Sequence, residues 1–242
     1  MKLTRQGWIA CGLALATMVG AQAVPLAPLA PTLDQAPIEA SGGLTDALQR
    51  GHWSVACRQA SATLAEGQPA LDALGVFALC AALRHDQQAL TQARARLPEA
   101  EPEPYYRELV AAVVELQAEQ AAPAARRLAG LLTTHPTDPL VQYFAGEAHI
   151  ANGDAFAARR AFDAVLDVWP AHAPALLALS KLDAADAKLP QAIARMEQAT
   201  QLDPQNRDYW RWLAELCTQA GQTGRAQAIV LQRLQVWSPP AP

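Results

Sequence analysis

The chain has 242 residues, of which 51% are apolar and only 6% aromatic, and its formal net charge is −4. The length admits one or two domains, and the alanine-rich composition favours packed helices over a β-sandwich, because alanine is the best helix former and a poor strand former. A negative net charge excludes the basic pattern that is typical of nucleic-acid-binding proteins.

Residues 1–23 are predicted to be a secretory signal peptide. Lys2 and Arg5 precede an apolar stretch, and Ala21 and Ala23 form a small-x-small cleavage site. The mature chain is therefore expected to begin after Ala23 and to be periplasmic or secreted. Two alternatives stay open: the apolar stretch could be retained as an uncleaved membrane anchor, although it is short for a span, and Cys11 could make the protein a lipoprotein.

Residues 24–43 are rich in proline. Repeated prolines favour extended polyproline II and oppose helix formation. We expect this segment to be a linker between the export signal and the folded body.

Residues 44–104 have the periodicity of helical hairpins, but the regular spacing found further along the chain is lost here, so that we expect one partial and one shortened hairpin. A chain reversal at 67–69 would bring the residue near 79 opposite Cys57, and Cys80 lies within a helical turn of that position. In an oxidising compartment a Cys57–Cys80 disulfide is therefore expected. The alternative is two buried free cysteines. Cys217 has no obvious partner and is expected in the core.

Residues 105–238 repeat with a constant period, which is the interval from Pro136 to Pro170 and again from Pro170 to Pro204. The last repeat ends at Ser238, at the same interval after Pro204. Such a period indicates a repeat architecture. Four columns counted back from these ends hold mostly small or apolar residues: Ala124, Ala158, Ala192 and Ala226; Leu128, Phe162, Met196 and Val230; Leu132, Leu166, Thr200 and Leu234; Ala112, Gly146, Ser180 and Ala214.

Each repeat is predicted to be a helix-turn-helix hairpin. Apolar residues recur at helical spacing on both sides of the turn cluster at 152–154. Pro123 and Pro190 stand where a second helix would begin, a position that tolerates proline. The sequence therefore predicts an all-α fold in which neighbouring hairpins stack to bury their apolar faces.

This pattern resembles the tetratricopeptide repeat family. The best copy carries Gly146, Gly153, Ala158, Phe162 and Pro170, and the last copy carries Trp210, Leu213, Ala214, Gly221 and Ala226. The resemblance implies an α-solenoid, a right-handed superhelix of hairpins, with degenerate N-terminal hairpins at 44–104, four repeats at 105–238 and a tail at 239–242.

Catalytic and metal-binding patterns are absent from the sequence. The five histidines make no zinc-binding pair, and no nucleophile elbow, phosphate-binding loop or dinucleotide fingerprint occurs. His135 and His172 are expected to be solvated loop residues, and Asp183 and Asp186 to be solvated on helix surfaces. We therefore expect no enzyme activity, no cofactor and no bound metal.

In the tetratricopeptide family, the first helix of each hairpin lines a concave groove that holds protein or peptide partners. The best-known clamp of the family for terminal carboxylates is missing here. Apolar members of the groove could instead pack between hairpins, notably Leu116 and Ile150. The resemblance places the following residues in the groove: Tyr106, Leu109, Val113, Tyr143, Glu147, Leu177, Lys181, Arg211 and Glu215.

The sequence therefore predicts a non-enzymatic periplasmic scaffold or adaptor for protein or peptide partners, active in assembly of an envelope or secretion complex. Nucleic acid is not expected as a partner, nor is a membrane span after signal cleavage. The alternative is an enzyme or a polysaccharide-processing accessory protein with a site that carries no recognisable motif.

Overall fold

The structure is a computed structural model that describes residues 43–65, 71–96 and 105–234. Over these residues the fold is all-α, as predicted, with twelve α-helices, a final π-helical turn at Val230–Leu234 and no strand. The predicted signal peptide, linker, chain reversal at 67–69 and tail lie outside the described residues.

The helices alternate as the first and second helix of a repeating unit. The first helices are α1 (Leu44–Gln49), α3 (Leu71–Leu83), α5 (Tyr105–Gln117), α7 (Pro139–Ala151), α9 (Ala173–Ala185) and α11 (Arg207–Gln219). The second helices are α2 (Trp53–Ala65), α4 (Gln87–Arg96), α6 (Ala121–Thr134), α8 (Ala155–Val168), α10 (Leu189–Leu202) and α12 (Thr223–Ile229).

Every first helix ends in the same turn, and these turns recur at the interval of the sequence repeat. Shortly after each helix the backbone adopts a positive φ, between 57° and 79°. The N–H of that residue and the N–H of the next residue donate to carbonyls of the last helical turn, as in a Schellman motif. The six positions are Gly51, His85, Glu119, Gly153, Ala187 and Gly221.

The expectation that residues 44–104 lose the repeat spacing is wrong, because the same interval between turns continues back to Gly51. Glycine is the residue that adopts positive φ without strain, and of the two turns in this segment one has Gly51 and the other has His85. The apolar columns are also altered there: exposed Arg94 stands one repeat before Leu128, in a column that is apolar further along the chain. The register is intact although some of its usual residue types are replaced.

Most members of the columns predicted from the repeat are buried, whereas Val230 in the last repeat is half-buried. Ala124, Ala158 and Ala192 are fully buried, and so are Leu128, Phe162 and Met196. Alanine lets the helix backbones approach closely and the larger side chains fill the remaining space, as dense core packing requires.

The N-caps of α7, α9 and α11 also lie one repeat apart, at Asp138, His172 and Asn206. His172 is fully buried, and its Nδ1 accepts a hydrogen bond from the N–H of Ala175 at 3.1 Å. The prediction that His172 is a solvated loop residue is therefore wrong, because the side chain caps a helix. His135, by contrast, is half-buried, and its ring lies 5.1 Å from the ring of Tyr105.

The chain divides into two compact units. Unit 1 comprises residues up to Ala158 and unit 2 begins at Arg159. Within unit 1, the first helices α1, α3, α5 and α7 contribute to one hydrophobic core. Within unit 2, a second core is built on Leu176, Met196, Leu213 and Leu216.

Candidate functional site

The residues predicted to meet a partner occupy two equivalent positions of the first helices, apart from Tyr106. The fifth position holds Leu109, Tyr143, Leu177 and Arg211, and the ninth position holds Val113, Glu147, Lys181 and Glu215. We call these two positions together the partner face. The exposure of this face differs between the two units.

In unit 1 the partner face is partly closed. Leu109 is 0% exposed and Val113 is 2% exposed, and both belong to the hydrophobic core. The prediction that these two residues meet a partner is therefore wrong for this structure, because a fully buried side chain has no surface to offer. Leu116 and Ile150 are half-buried, and Leu116 packs against the same core.

Tyr106 is half-buried because its ring lies on the backbone of α3 at Gly75. A Cβ at position 75 would overlap that ring, so that only glycine permits this approach. Thr45 of α1 hydrogen-bonds to the Tyr106 hydroxyl, and Asp72 of α3 lies close to it. Desolvation by burial is the main reason why the pKa of Tyr106 rises to about 12, and the carboxylate of Asp72 adds to it.

Tyr143 is half-buried inside an aromatic cluster. The Trp53 ring lies 5.1 Å from the Tyr143 ring in an edge-on arrangement, and it stacks on Phe144 at 6.0 Å. Glu147, one turn further along α7, is also half-buried. The sequence pattern did not reveal the role of Trp53, because nothing local signals a contact with a helix three hairpins further along the chain.

In unit 2 the partner face is open. Arg211 is exposed, with 68% of its side chain accessible, and its Nη1 lies 2.7 Å from Oδ1 of Asp208. Lys181 and Glu215 are half-buried and close enough to interact, although they belong to different hairpins. Burial raises the pKa of Glu215, and the hydrogen bond from Gln219 and the charge of Lys181 oppose that rise. Leu177 adds a half-buried apolar side chain.

Hydrogen bonds fix the two helices that carry this open face. The indole Nε1 of Trp212 donates to the hydroxyl of buried Ser180 at 3.0 Å, which in turn donates to the carbonyl of Ala192 at 2.9 Å. The chain of bonds joins α11, α9 and α10. The partner-face side chains of α9 and α11 are therefore held on elements of defined position, as a binding surface requires.

Asp183 is 3% exposed and lies between two arginines, so that the prediction of a solvated side chain is wrong. Its two carboxylate oxygens accept hydrogen bonds from Arg159 at 2.6 Å and from Arg195 at 2.8 Å. The pair Glu115–Arg127 occupies the same repeat positions, two repeats earlier. Since both Asp183 oxygens accept from arginine, this carboxylate has a structural role.

Asp186 stays exposed, as predicted, and interacts with Lys188 and Arg159. The hydrogen bond from Lys188 is the main reason why the pKa of Asp186 is lowered. The carboxylate is therefore ionised and paired at the surface.

Cys57 and Cys80 form a disulfide that joins α2 to α3, with their Cα atoms 5.8 Å apart. Since α2 is a second helix and α3 is the first helix of the next hairpin, the bond connects consecutive hairpins. Cys217 is buried and free, in agreement with its predicted core position.

Metal sites and membrane spans can be judged only for the part of the chain that the structure describes. There, no three His, Cys, Asp or Glu side chains gather into a set of metal ligands. None of the helices at 43–65, 71–96 and 105–234 is long and apolar enough to cross a membrane.

Residues 183–235 match the family model described as tetratricopeptide repeat. No curated protein matches the chain significantly. Among solved structures, the fold is similar to two structures of MamA. One is the MamA RS-1 ArsTM double mutant, and the other is MamA from Desulfovibrio magneticus RS-1, beginning at its own residue 41. Both are 19% identical to this chain with a TM-score of 0.50, and 81% of this chain aligns with 96% and 97% of theirs.

The matched segment covers the last hairpin and part of the one before it, and the two structures share the all-α fold. The constant interval between turns extends the same unit over the remaining described residues. The fold is thus an α-solenoid of helical hairpins, and residues 183–235 of the chain match the tetratricopeptide repeat family.

Proposed function

We propose that this protein is a non-enzymatic scaffold that binds protein or peptide partners through the open partner face of unit 2. The observation that carries the proposal is the placement of Lys181, Arg211 and Glu215 on α9 and α11 with half-buried Leu177 beside them. Side chains of this kind, aligned on successive hairpins, offer an extended surface to a partner segment. Arginine is also over-represented among the residues that dominate binding energy.

The partner suited to this surface carries both polar and apolar groups. Lys181 already faces the carboxylate of Glu215, and Arg211 faces that of Asp208. To replace these contacts, a partner must place a negative group at each of the two basic side chains and a positive group at each carboxylate. Leu177 supplies an apolar side chain one helical turn before Lys181 on α9. Charge order of this kind selects partners more than it adds affinity.

The proposal includes export to the periplasm and a role in assembly of an envelope or secretion complex. The export step is supported by the signal-peptide pattern of residues 1–23. Intact mass of the protein from its native host tests the export step: a mature chain that begins at Val24 is expected, whereas a product that retains Lys2 contradicts cleavage.

The binding proposal is tested with the mature chain and its Lys181→Ala/Arg211→Ala variant as baits in a periplasmic extract. Captured proteins are quantified by mass spectrometry. Loss of a hot-spot residue commonly costs about 2 kcal/mol or more, so that the double variant is expected to lose captured partners at least about tenfold.

The matched control is Arg160→Ala, which removes an exposed arginine from α8, a second helix. This variant is expected to capture the same proteins as the unchanged chain. Equal capture by the double variant, with helical content intact by circular dichroism, would show that the partner face of unit 2 is not the binding site.

A further inference from the structure

The short helix α1 lies against the first helices of later hairpins in unit 1. It contacts α3 and α7, although two complete hairpins separate it from α7 in the sequence. Ala47 and Leu48 are each 1% exposed and belong to the core that contains Leu109 and Val113. A segment of the same chain is therefore part of the core to which the buried residues of the partner face belong.

Trp53 extends this cover. It follows the Gly51 turn and places its ring on Tyr143 and Phe144 of α7. Tyr143 is itself a member of the partner face. The covering segment thus has two anchors, an apolar pair on α1 and an aromatic ring at the start of α2.

Several features make this cover easy to release. A helix of six residues is far below the length of roughly 12 residues at which isolated helices become marginally stable. The buried Nε1 of Trp53 finds no acceptor among the described residues, which weakens the docking of the indole.

The disulfide limits how far such a release can extend. Cys57 follows Trp53 by one helical turn, and its bond to Cys80 fixes α2 on α3. The segment before Cys57 can therefore leave α5 and α7 while the rest of α2 stays in place, with Gly51 as the flexible point between the two anchors.

We propose that the segment 43–55 is an intramolecular occupant of a second binding site, formed by α3, α5 and α7 in unit 1, and that this site accepts a short amphipathic helix of a partner protein. The partner helix carries a small and a leucine-like residue in the places of Ala47 and Leu48, followed by an aromatic residue in the place of Trp53. Acidic residues are disfavoured next to Tyr106, because Asp72 lies there.

This inference goes beyond the proposed function, since it concerns unit 1 and involves neither Lys181 nor Arg211. An occupant joined to its site by a short linker competes at a high effective concentration. The unchanged chain therefore binds an external copy of the segment only weakly, and removal of one anchor makes the site available.

The test is binding of a fluorescein-labelled peptide of residues 43–55 to the mature, oxidised chain, measured by fluorescence anisotropy. Trp53→Ala removes the aromatic anchor of the occupant and leaves the site unchanged. If the occupant fills the site nine-tenths of the time or more, Trp53→Ala is expected to tighten peptide binding by at least about tenfold.

Three variants give this experiment its controls. Trp53→Phe keeps the ring and is expected to bind the peptide as weakly as the unchanged chain. Tyr143→Ala, added to Trp53→Ala, is expected to abolish the gain. Arg211→Ala, added to Trp53→Ala, is expected to leave it unaltered, which separates this site from the partner face of unit 2.

Hydrogen exchange of the amides at 44–49 provides the second measurement, and it needs no variant. Excess unlabelled peptide is expected to accelerate their exchange in the unchanged chain, and a peptide with aspartate in place of Leu48 and Trp53 is expected to have no effect. Unaltered exchange at high peptide concentration overturns the proposal. The proposal is also overturned if Trp53→Ala accelerates hydrogen exchange at 44–49 but does not tighten binding of the labelled peptide.

Discussion

Leu109 in unit 1 and Leu177 in unit 2 stand at the same position of the repeat, two repeats apart, yet Leu109 is fully buried and Leu177 is half-buried. Val113 and Lys181 form a second such pair, buried in unit 1 and half-buried in unit 2. The repeat therefore determines on which helix and in which register a side chain stands. Its exposure depends on what other segments lie over it.

In unit 1, Leu109 and Val113 are buried in the core that α1 also joins. The buried positions hold leucine and valine, whereas the accessible positions of unit 2 hold lysine, arginine and glutamate as well as leucine. Burial of an unpaired charge is costly, so that a covered face excludes such residues. Equivalent positions of the repeat therefore contribute to the hydrophobic core in unit 1 and to an accessible surface in unit 2.

The largest effect is expected at Phe162, a fully buried residue within the range of unit 2, even though the partner face of that unit is open. Phe162→Ala should lower the free energy of unfolding by about 3–5 kcal/mol, because Phe162 is fully buried and leaves a cavity. Hydrogen exchange should accelerate at 159–234 more than at 43–65. Equal acceleration of hydrogen exchange in both units would contradict the view that only neighbouring repeats are coupled.

The pair Leu109 and Leu177 tests the comparison directly. Leu109→Ala should lower the free energy of unfolding by about 2–5 kcal/mol in urea denaturation. Leu177→Ala should lower it by less than half as much, since its side chain already has access to water. Equal losses would mean that both faces are closed in solution.

The disulfide should stabilise unit 1 alone. Reduction of Cys57–Cys80, or the Cys57→Ser/Cys80→Ser variant, should lower the free energy of unfolding by about 3 kcal/mol, because the bond closes a loop with a sequence separation of 23. Hydrogen exchange should rise in α2 and α3 and stay unchanged in α9 and α11. Peptide mapping under non-reducing conditions that finds both thiols free would contradict the bond itself.

The smallest effect is expected at Glu215 on the open face. Burial raises the pKa of this carboxyl in the folded chain, so that the folded state binds more protons than the unfolded state between the two pKa values. Stability should therefore fall as the pH rises through this interval. Glu215→Gln should remove that dependence and change stability by less than about 1 kcal/mol, measured as thermal unfolding at a series of pH values.

A control at the exposed pair Arg211–Asp208 sharpens this last measurement. Asp208→Asn removes another carboxylate from α11, but its side chain is 39% accessible, and exposed ion pairs contribute little. The slope of stability against pH near the raised pKa of Glu215 should therefore persist in Asp208→Asn. If the slope disappears in Asp208→Asn, the pH dependence of stability arises from Asp208 and not from Glu215.

The periodic part of the molecule could be predicted from the sequence by itself. Columns such as Ala158 and Phe162 specify hairpins, because small and large side chains must alternate wherever two helices pack closely. The position of Cys80 opposite Cys57 also followed from the sequence, since the two helices are consecutive and antiparallel. These features depend on residues that are near one another along the chain.

The exposure of the partner face was decided by the tertiary structure alone. Leu109 and Val113 are buried in a core that also includes α1, which lies far away in the sequence, and Asp183 is held by arginines from two other helices. His172 looked like a loop residue until its place in the N-cap column was known. Local pattern determines which residues form a helix, whereas burial and ion pairing depend on contacts between distant segments, and those exist only once the hairpins have packed.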